Sequence, residues 1–397
     1  MNNLSRVVSF VLCAGLTVAC AQAEQLAATA DNSPASAAPS ANSAASPLAP
    51  APPTTGAYGL GEFPEPPTKA FSSTTGAALQ AVLDAAVDNG LTGVTATVMA
   101  ADRGVWSGAA GVTGEALEPM KTGSQFEVAS IEKTIIAAEA MRLSENGLLD
   151  LTDPVAAHLP ADLEFDTNGA TVRDLLAMES GIPEPTMLKT PDLPADPATW
   201  TTAEILSTVP TYRFEPGVNH IYSNLDYSLL ILVADEVTRT DRAVPRADIL
   251  ADPRLAGIVS PPDEQVTDPA LPPNESKAAT VETKAGGPWT DSGTLALLGW
   301  LLFGGELLTD ETLAAMTDFG AGAEYDRYGL GVFELTNIAE GFEAYAVGNG
   351  GWGGLHATNL VILPAEGVVI TVFANQAGDP RQITVPIAQQ LAAVLEP

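Results

Sequence analysis

The first folded segment of the chain switches between two hydrophobic periods. Apolar residues from Leu79 to Val87 recur at helical spacing and stop at Asn89-Gly90, a pair that commonly ends helices. From Val94 to Ala100, apolar residues instead occupy every second position, which is typical of a strand. The stretch from Val105 to Ala109 can pair with that strand. The pattern therefore predicts a helix followed by a β-hairpin.

The rest of the pattern separates a helical middle from a second strand-rich region. Residues from about Ser130 to Val237 are mostly helical and loop-rich. Strand patterns return later, and a closing helix follows from Val385 to Leu395. We therefore predict an α/β (α+β) fold in which both chain ends form one antiparallel sheet flanked by helices, with a helical lobe inserted between them. The predicted C-terminal strands are Tyr345–Val347, Asn359–Leu363 and Val368–Phe373.

The N-terminus has the composition of an export signal over residues 1–23. Arg6 precedes an apolar stretch from Val7 to Val18. Two processing sites compete: the small-x-small sequence Ala21-Gln22-Ala23, and Leu16 to Cys20, which looks like a bacterial lipoprotein box ending in the cysteine to be lipidated. We expect export to the periplasm or cell envelope, with a membrane tether through a lipidated Cys20 as one alternative.

Composition divides the remaining chain into a linker and one large domain. Residues 24–67 are rich in Ala, Ser and Pro and cannot bury enough apolar surface to fold, so they are predicted to be a disordered linker. Residues 68–397 form the predicted domain. The only cysteines of the chain, Cys13 and Cys20, lie in the signal region, so this domain must fold without a disulfide.

The charge of the chain bears on its partners. Acidic residues outnumber basic ones 49 to 17, for a formal net charge of −32. A surface of this sign repels phosphate backbones, which argues against nucleic acid as a partner.

The spacing of the histidines does not suggest a metal site. Structural roles are therefore favoured for His158, His220 and His356.

Ser130 and Lys133 form a Ser-x-x-Lys motif at the start of a predicted helix. Serine in this place is commonly an N-cap, and that ordinary explanation competes with a chemical one. Residues three apart share a helix face, so the hydroxyl and the amine can approach each other. The helix dipole disfavours a cation in the first turn, which makes Lys133 a credible proton acceptor for the hydroxyl.

Two further segments contain groups that can do chemistry. Tyr222 offers a hydroxyl that can act as a base near a cationic amine, and Asn224 offers an amide that can hold a substrate amide and orient a lysine. The glycine-rich run Gly348–Gly354, predicted at the end of a strand, has backbone N–H groups that could stabilise an oxyanion. Taken singly, a loop tyrosine with a turn asparagine and a glycine-rich turn are the ordinary explanations.

Together with their surroundings, these segments resemble the penicillin-recognising serine hydrolases, most closely the branch of class C β-lactamases, D,D-peptidases and related esterases. The similarity extends from about Leu79 to Asn375 and implies a β-lactamase/transpeptidase-like fold. The stretches that carry it are Phe126–Thr134, Asn146–Val155, Thr171–Gly181, Tyr222–Asn224 and Tyr328–Gly331.

The resemblance implies a role for each catalytic candidate. Ser130 would attack a carbonyl and form an acyl-enzyme, and Lys133 would activate it. Tyr222 would act as general base or pass the proton to the leaving group, and Asn224 would orient Lys133 and the substrate. No metal or organic cofactor is implied. The expected partner is a small-molecule or peptidoglycan-type substrate.

The third motif departs from the family pattern. The family usually has Lys or His, then Thr, Ser or Gly, then Gly, whereas this chain has Asn349-Gly350-Gly351. Asn349, Gly351 and Trp352 are expected to bind the substrate, and the N–H groups of Ser130 and Trp352 to form the oxyanion hole. Asn349 can donate a hydrogen bond but has no charge, and charge-assisted hydrogen bonds are roughly twice as strong as neutral ones.

The neutral third motif shapes the functional prediction. We expect an esterase or D,D-peptidase rather than an efficient β-lactamase. The alternative is a non-catalytic cell-envelope binding protein that retains the penicillin-binding fold.

Glu132 is also unusual at its place in the first motif, and its offset is expected to turn its side chain away from the face that carries Ser130 and Lys133. The pattern leaves the oligomeric state open.

Overall fold

The computed structural model describes residues 59–187, 193–194, 200–238, 249–261, 265–273, 275, 287–319, 327–335 and 346–395. The strands within these residues are β1 (Gly93–Ala100), β2 (Gly104–Thr113), β3 (Glu118–Pro119), β4 (Phe126–Glu127), β5 (Trp289–Thr290), β6 (Phe333–Glu334), β7 (Val347–Trp352), β8 (Ala357–Leu363) and β9 (Val368–Ala374). The α-helices are α1 (Ser73–Asp88), α2 (Glu132–Glu145), α3 (Val172–Leu176), α4 (Thr202–Leu206), α5 (Asn224–Thr238), α6 (Ser292–Phe303), α7 (Asp310–Met316), α8 (Pro380–Ile383) and α9 (Val385–Leu395).

Both ends of the folded region contribute to one seven-stranded antiparallel sheet, with the order β3-β2-β1-β9-β8-β7-β6. Strand β1 pairs on one side with β2, as the predicted hairpin, and on the other side with β9. Gly367 makes the turn between β8 and β9 in the left-handed conformation, with φ 59°, which glycine adopts without steric cost. The predictions of the hairpin, of the shared sheet and of the closing helix α9 are confirmed.

Helices cover both faces of this sheet. Helices α1 and α9 pack on one face, and α6 lies across β1, β8 and β9 on the other. Thr97, a polar position of β1, is therefore buried, and its hydroxyl is 3.0 Å from that of Ser292 at the start of α6. Both faces of β1 are therefore covered by helices, and the alternation of apolar and polar residues along this strand does not mark a face exposed to solvent.

The helical middle of the chain packs as a lobe beside the sheet. Helix α5 contacts both α2 and α3. A 3-10 turn at Ala129–Ile131 immediately precedes α2 and contacts β7 and β8. The start of α2 therefore lies where the helical lobe meets the sheet.

Most of the glycine-rich run, from Gly348 to Trp352, lies within strand β7, so the predicted strand does not end at Val347. Strand β7 pairs with β8 along its whole length, with Val347 opposite Ile362 and Trp352 opposite Ala357. Tyr345, predicted to belong to the preceding strand, lies outside the described residues. Glycine is depleted in strands, so the composition of this run conceals a strand that its neighbours impose.

Residues 59–67, predicted to be part of the linker, pack against the folded body. The Trp300 indole donates a hydrogen bond to the Pro64 carbonyl (2.9 Å), and the rings of Phe63 and Trp300 lie 4.9 Å apart. The predicted signal and the linker up to residue 58 lie outside the described residues. None of the helices within the described residues combines the length and apolar character needed to cross a membrane.

His356 is buried in the core at the start of β8. Its Nδ1 accepts the Glu127 N–H (3.1 Å), its Nε2 donates to the Ala270 carbonyl (2.7 Å), and its ring packs edge-on against Phe126 and Trp289. Burial lowers the pKa of His356 from 6.5 to about 4. The folded protein therefore keeps this imidazole neutral under conditions in which the unfolded chain protonates it.

We expect acidification to destabilise the domain through His356. Stability from this residue is fully present above pH 6.5 and is lost as the pH falls towards 4, because the unfolded chain then binds a proton that the folded protein does not; the loss is at most about 3 kcal/mol. His356→Asn, which stays neutral, should lack this component. Urea unfolding of both proteins at pH 7 and pH 4.5 measures it. An equal change in the free energy of unfolding would contradict the assignment.

Candidate active site

Ser130 lies in the 3-10 turn before α2, and the turn itself fixes its position. The preceding residue, Ala129, has φ 49°, a left-handed conformation that is uncommon for a residue with a side chain. The Val128 N–H is held by the Pro288 carbonyl (2.9 Å), which anchors the turn to the residue before β5. The Ser130 hydroxyl caps neither the turn nor α2. The N-cap explanation of this serine is therefore not realised.

The Ser130 hydroxyl instead contacts the two other predicted catalytic groups. The Tyr222 hydroxyl is 2.7 Å from Ser130 Oγ, and Lys133 Nζ is 3.3 Å from the same oxygen. Lys133 Nζ also donates to Asn224 Oδ1 at 2.8 Å. Ser130 is half-exposed, so a substrate can reach its oxygen. The structure thus brings together all four predicted residues of the first two motifs.

Lys133 is buried, and its amine contacts protein groups. Its side chain projects from the first turn of α2, and the residue is only 7% exposed. Nζ lies 5.0 Å from the centre of the Tyr222 ring and 5.8 Å from that of the Tyr227 ring. Aromatic faces attract an ammonium group at these distances. The amine is therefore restrained between Ser130, Asn224 and two tyrosine rings.

The loop that carries Tyr222 is anchored to the segment after α3. The Ile221 N–H donates to the Met178 carbonyl (3.1 Å), and the Ser223 N–H contacts Met178 Sδ at 3.4 Å. Met178 itself has φ 55°, a second strained backbone position next to the site. These contacts place Tyr222 above Ser130 from a different part of the chain.

Strand β7 approaches the Ser130 turn closely because Gly351 has no side chain. A Cβ at Gly351 would lie less than 3.0 Å from the Val128 carbonyl and from the Thr358 hydroxyl. In contrast, the neighbouring Gly350 would direct a Cβ towards Pro380 on the other side of the strand. Gly351 therefore allows the strand to approach the nucleophile and does not itself offer a side-chain contact to a substrate.

The register of β7 and β8 determines where the Trp352 N–H points. The Gly353 N–H donates to the His356 carbonyl, so that pair is hydrogen-bonded. Hydrogen-bonded and non-hydrogen-bonded pairs alternate in an antiparallel ladder, so the next pair, Trp352 and Ala357, is non-hydrogen-bonded. The Trp352 N–H therefore faces away from β8. An oxyanion hole requires such a donor that is not used by the sheet, and β7 contacts the turn that carries Ser130.

The sequence suggested that the Asn349 side chain binds the substrate, but the structure buries this side chain among protein groups. It is 1% exposed, and its Nδ2 donates to the Thr134 hydroxyl (3.2 Å) and to the Gly331 carbonyl (3.3 Å). Its Oδ1 accepts the Gly350 N–H at 2.9 Å. Because these protein groups already use the amide, Asn349 ties β7 to α2 instead of presenting its side chain to a substrate.

Two carboxylates next to the site were not singled out for it by the sequence. Glu184 accepts the backbone N–H groups of Asn224 and Leu225. Glu132, expected to turn away, has Oε1 shielded from solvent without a hydrogen-bond partner. Burial raises the pKa of Glu132 to about 7, although the Lys133 charge opposes that rise. Spacing alone could not reveal these contacts, since each depends on how distant segments pack.

The histidines have structural partners, as expected. His158 Nε2 is 2.8 Å from Asp153 Oδ2, and His220 Nδ1 is 2.9 Å from the Ala177 carbonyl. His356 lies in the core described above. Across the part of the chain that the structure describes, no group of three or more His, Cys, Asp or Glu residues could hold a metal ion.

Comparison with known proteins fits this geometry. The family model described as Beta-lactamase matches residues 79–394, which is most of the chain. The chain belongs to the beta-lactamase family. This confirms the resemblance drawn from the motifs and the predicted fold, and it places the chain among serine hydrolases.

Curated relatives match over a short region. Protein flp of Staphylococcus aureus (strain N315) is 29% identical over 126 residues, covering 29% of this chain and 24% of its own length. Penicillin-binding protein 4* of Bacillus subtilis (strain 168) is 30% identical over 130 residues, covering 30% of this chain and 27% of its own length. The chain thus spans about a quarter of the length of these relatives.

Solved structures match over most of the chain. A D-stereospecific amidohydrolase from Streptomyces sp. is 25% identical, with a TM-score of 0.62 over 78% of this chain and 97% of that one. The D-amino acid amidase from Ochrobactrum anthropi SV3 is 21% identical, with a TM-score of 0.67 over 81% and 99%. At this identity, the second similarity concerns the fold alone.

We expect Gly351→Ala to disrupt the site, whereas the matched change Gly354→Ala leaves it intact. A Cβ at Gly351 overlaps the Val128 carbonyl, whereas a Cβ at Gly354 has nothing within 4 Å. Overpacking of this kind costs about 1–3 kcal/mol, and it must push β7 away from Ser130. A serine-directed phosphonate should therefore label Gly351→Ala about tenfold or more slowly than Gly354→Ala. Equal labelling rates would mean that the site does not require the close approach of β7 to Ser130.

Proposed function

We propose that this protein is an exported serine hydrolase that cleaves an ester, amide or peptide bond through an acyl-enzyme. The observation that carries the proposal is the convergence of Tyr222 and Lys133 on Ser130 Oγ, at 2.7 Å and 3.3 Å. A hydroxyl is a weak nucleophile until an adjacent base takes its proton. Two groups able to do so, from two separate segments, contact this one oxygen.

The proposed reaction has two halves. Ser130 Oγ forms a bond to the substrate carbonyl carbon while its proton passes to Lys133 as a neutral amine or to Tyr222 as a phenolate, and the N–H groups of Ser130 and Trp352 stabilise the oxyanion. The bond to the leaving group then breaks, and Tyr222 returns the proton to the departing oxygen or nitrogen. Water attacks the acyl-enzyme by the same route and releases the acid. No metal or organic cofactor is needed for these steps.

The proposed substrates are neutral esters and amides rather than β-lactams. The matching D-stereospecific amidohydrolase supports amide substrates. However, the place where the family carries a cation is occupied by the buried, neutral Asn349. A substrate carboxylate would lack a charge-assisted hydrogen bond there. We therefore rank an esterase above an efficient β-lactamase, and a D,D-peptidase below the esterase because its D-Ala substrate also ends in a carboxylate.

The proposal of export rests on the N-terminal sequence. Residues 1–23 have the charged and apolar regions of a secretory signal, and Leu16 to Cys20 offers a lipidation site. A chain lipidated at Cys20 would be tethered to the envelope, whereas cleavage after Ala23 would release it. The intact mass of the mature protein tests this, and an uncleaved N-terminus would contradict export.

We expect Ser130→Ala to abolish covalent labelling and turnover. Loss of the nucleophile should lower the hydrolysis rate of a nitrophenyl ester by roughly 10³-fold or more. A serine-directed phosphonate should label the wild type and leave Ser130→Ala unlabelled. Equal labelling of both proteins would mean that the nucleophile is wrongly assigned. A wild type that neither labels nor turns over would favour the non-catalytic binding protein.

We also expect the wild type to discriminate between carbonyl substrates. Intact mass measured after incubation with a neutral ester should show rapid turnover, whereas penicillin should acylate slowly or form an adduct that persists. The reason is the missing cation at position 349. Faster turnover of penicillin than of the ester would overturn this ranking and identify a β-lactamase.

A further inference from the structure

Glu184 contacts the site from a segment that none of the motifs includes. It follows the anchored Thr171–Gly181 stretch by a few residues, and its Oε1 accepts the N–H groups of Asn224 and Leu225, the latter at 3.2 Å. These are the first residues of α5, whose initial N–H groups have no partner within the helix. The Ser223 side chain also hydrogen-bonds to the same carboxylate.

These bonds fix the residue that holds the lysine. Asn224 is both the first residue of α5 and the residue whose Oδ1 accepts Lys133 Nζ at 2.8 Å. A shift of the Asn224 backbone would therefore move its side-chain oxygen away from Lys133. Tyr222, which contacts Ser130 Oγ, lies two residues earlier on the same anchored stretch. One carboxylate thus holds the backbone between both activating contacts.

The electrostatic environment is consistent with this arrangement. Burial raises the pKa of Glu184, while the hydrogen bonds from Asn224, Leu225 and Ser223 and the charge of Lys133 oppose that rise. A carboxylate at a helix N-terminus also interacts favourably with the helix dipole. The partly buried charge is therefore matched by donors and by the cation it helps to position.

We infer that Glu184 is a positioning residue, which holds Asn224 on Lys133 and Tyr222 on Ser130 through the first turn of α5. The inference rests on the proposed function, because it concerns activation of the same nucleophile. It assigns Glu184 no contact with the substrate. Its loss should therefore slow nucleophile activation more than it weakens substrate binding.

The test compares three variants with the wild type at a temperature at which all are folded. Glu184→Ala removes the acceptor, whereas Glu184→Gln retains a side-chain oxygen for the two backbone N–H groups. Glu204→Ala is the matched control, because Glu204 accepts the Thr201 N–H (2.6 Å) at the exposed start of helix α4. The readouts are the rate of phosphonate labelling and the kcat and KM for a nitrophenyl ester.

We expect Glu184→Ala to lower kcat and the labelling rate about 10- to 100-fold, with KM within about threefold of the wild type, since small misplacements of reacting groups have effects of this size. Glu184→Gln and Glu204→Ala should stay within about threefold of the wild type. Such a rescue by the conservative variant would not follow from a general loss of stability.

Several outcomes would overturn the inference while leaving the proposed function intact. They are wild-type rates in Glu184→Ala, an equal loss in Glu184→Gln, or an equal loss in Glu204→Ala. A wild type without labelling or turnover would instead remove the proposed function, and this inference with it. The control and the wild type therefore distinguish the two failures.

Discussion

The approach of β7 to the turn that carries Ser130 is the constraint on which the site depends. The Thr358 hydroxyl donates to the Val128 carbonyl at 3.0 Å, and Gly351 leaves no room for a side chain beside that carbonyl. This contact joins the sheet to the helical lobe and brings β7 beside the turn that carries the nucleophile. Neither layer contains the site alone. Folding must therefore dock elements that are more than 200 residues apart in sequence before any chemistry can begin.

The second constraint is a single buried cation in a strongly acidic protein. Among the described residues, Lys133 is the only lysine or arginine that is buried. A buried ammonium is costly unless it is paired and hydrogen-bonded. Asn224 supplies the hydrogen bond, and the Glu132 and Glu184 carboxylates both interact with its charge. Two acidic residues near the site thus interact with the charged form of Lys133 and do not only add to the surface charge.

The sequence pattern predicted those features of the fold and the site that depend on residues close together in the chain. The hairpin of β1 and β2 and the helix α9 follow from hydrophobic period, and the Ser130–Lys133 pair follows from the geometry of one helical turn. The hydrophobic pattern did not predict strand β7, because a run of glycines has no alternation of apolar and polar side chains. The strand forms because it pairs with β8. Glu184 could not be found either, since its contacts with α5 join segments about 40 residues apart without a periodic signal.

Asn349 links the junction of β7 and α2 to the proposed preference for neutral substrates. Its amide joins β7 to Thr134 of α2 and to the Gly331 carbonyl, so it contributes to the junction that positions the nucleophile. The neutral amide leaves a substrate carboxylate without a charge-assisted partner here. Under the proposed function, a neutral acyl group therefore loses less at this position than an anionic one, because Asn349 carries no charge, and this is the physical reason to expect ester and amide substrates.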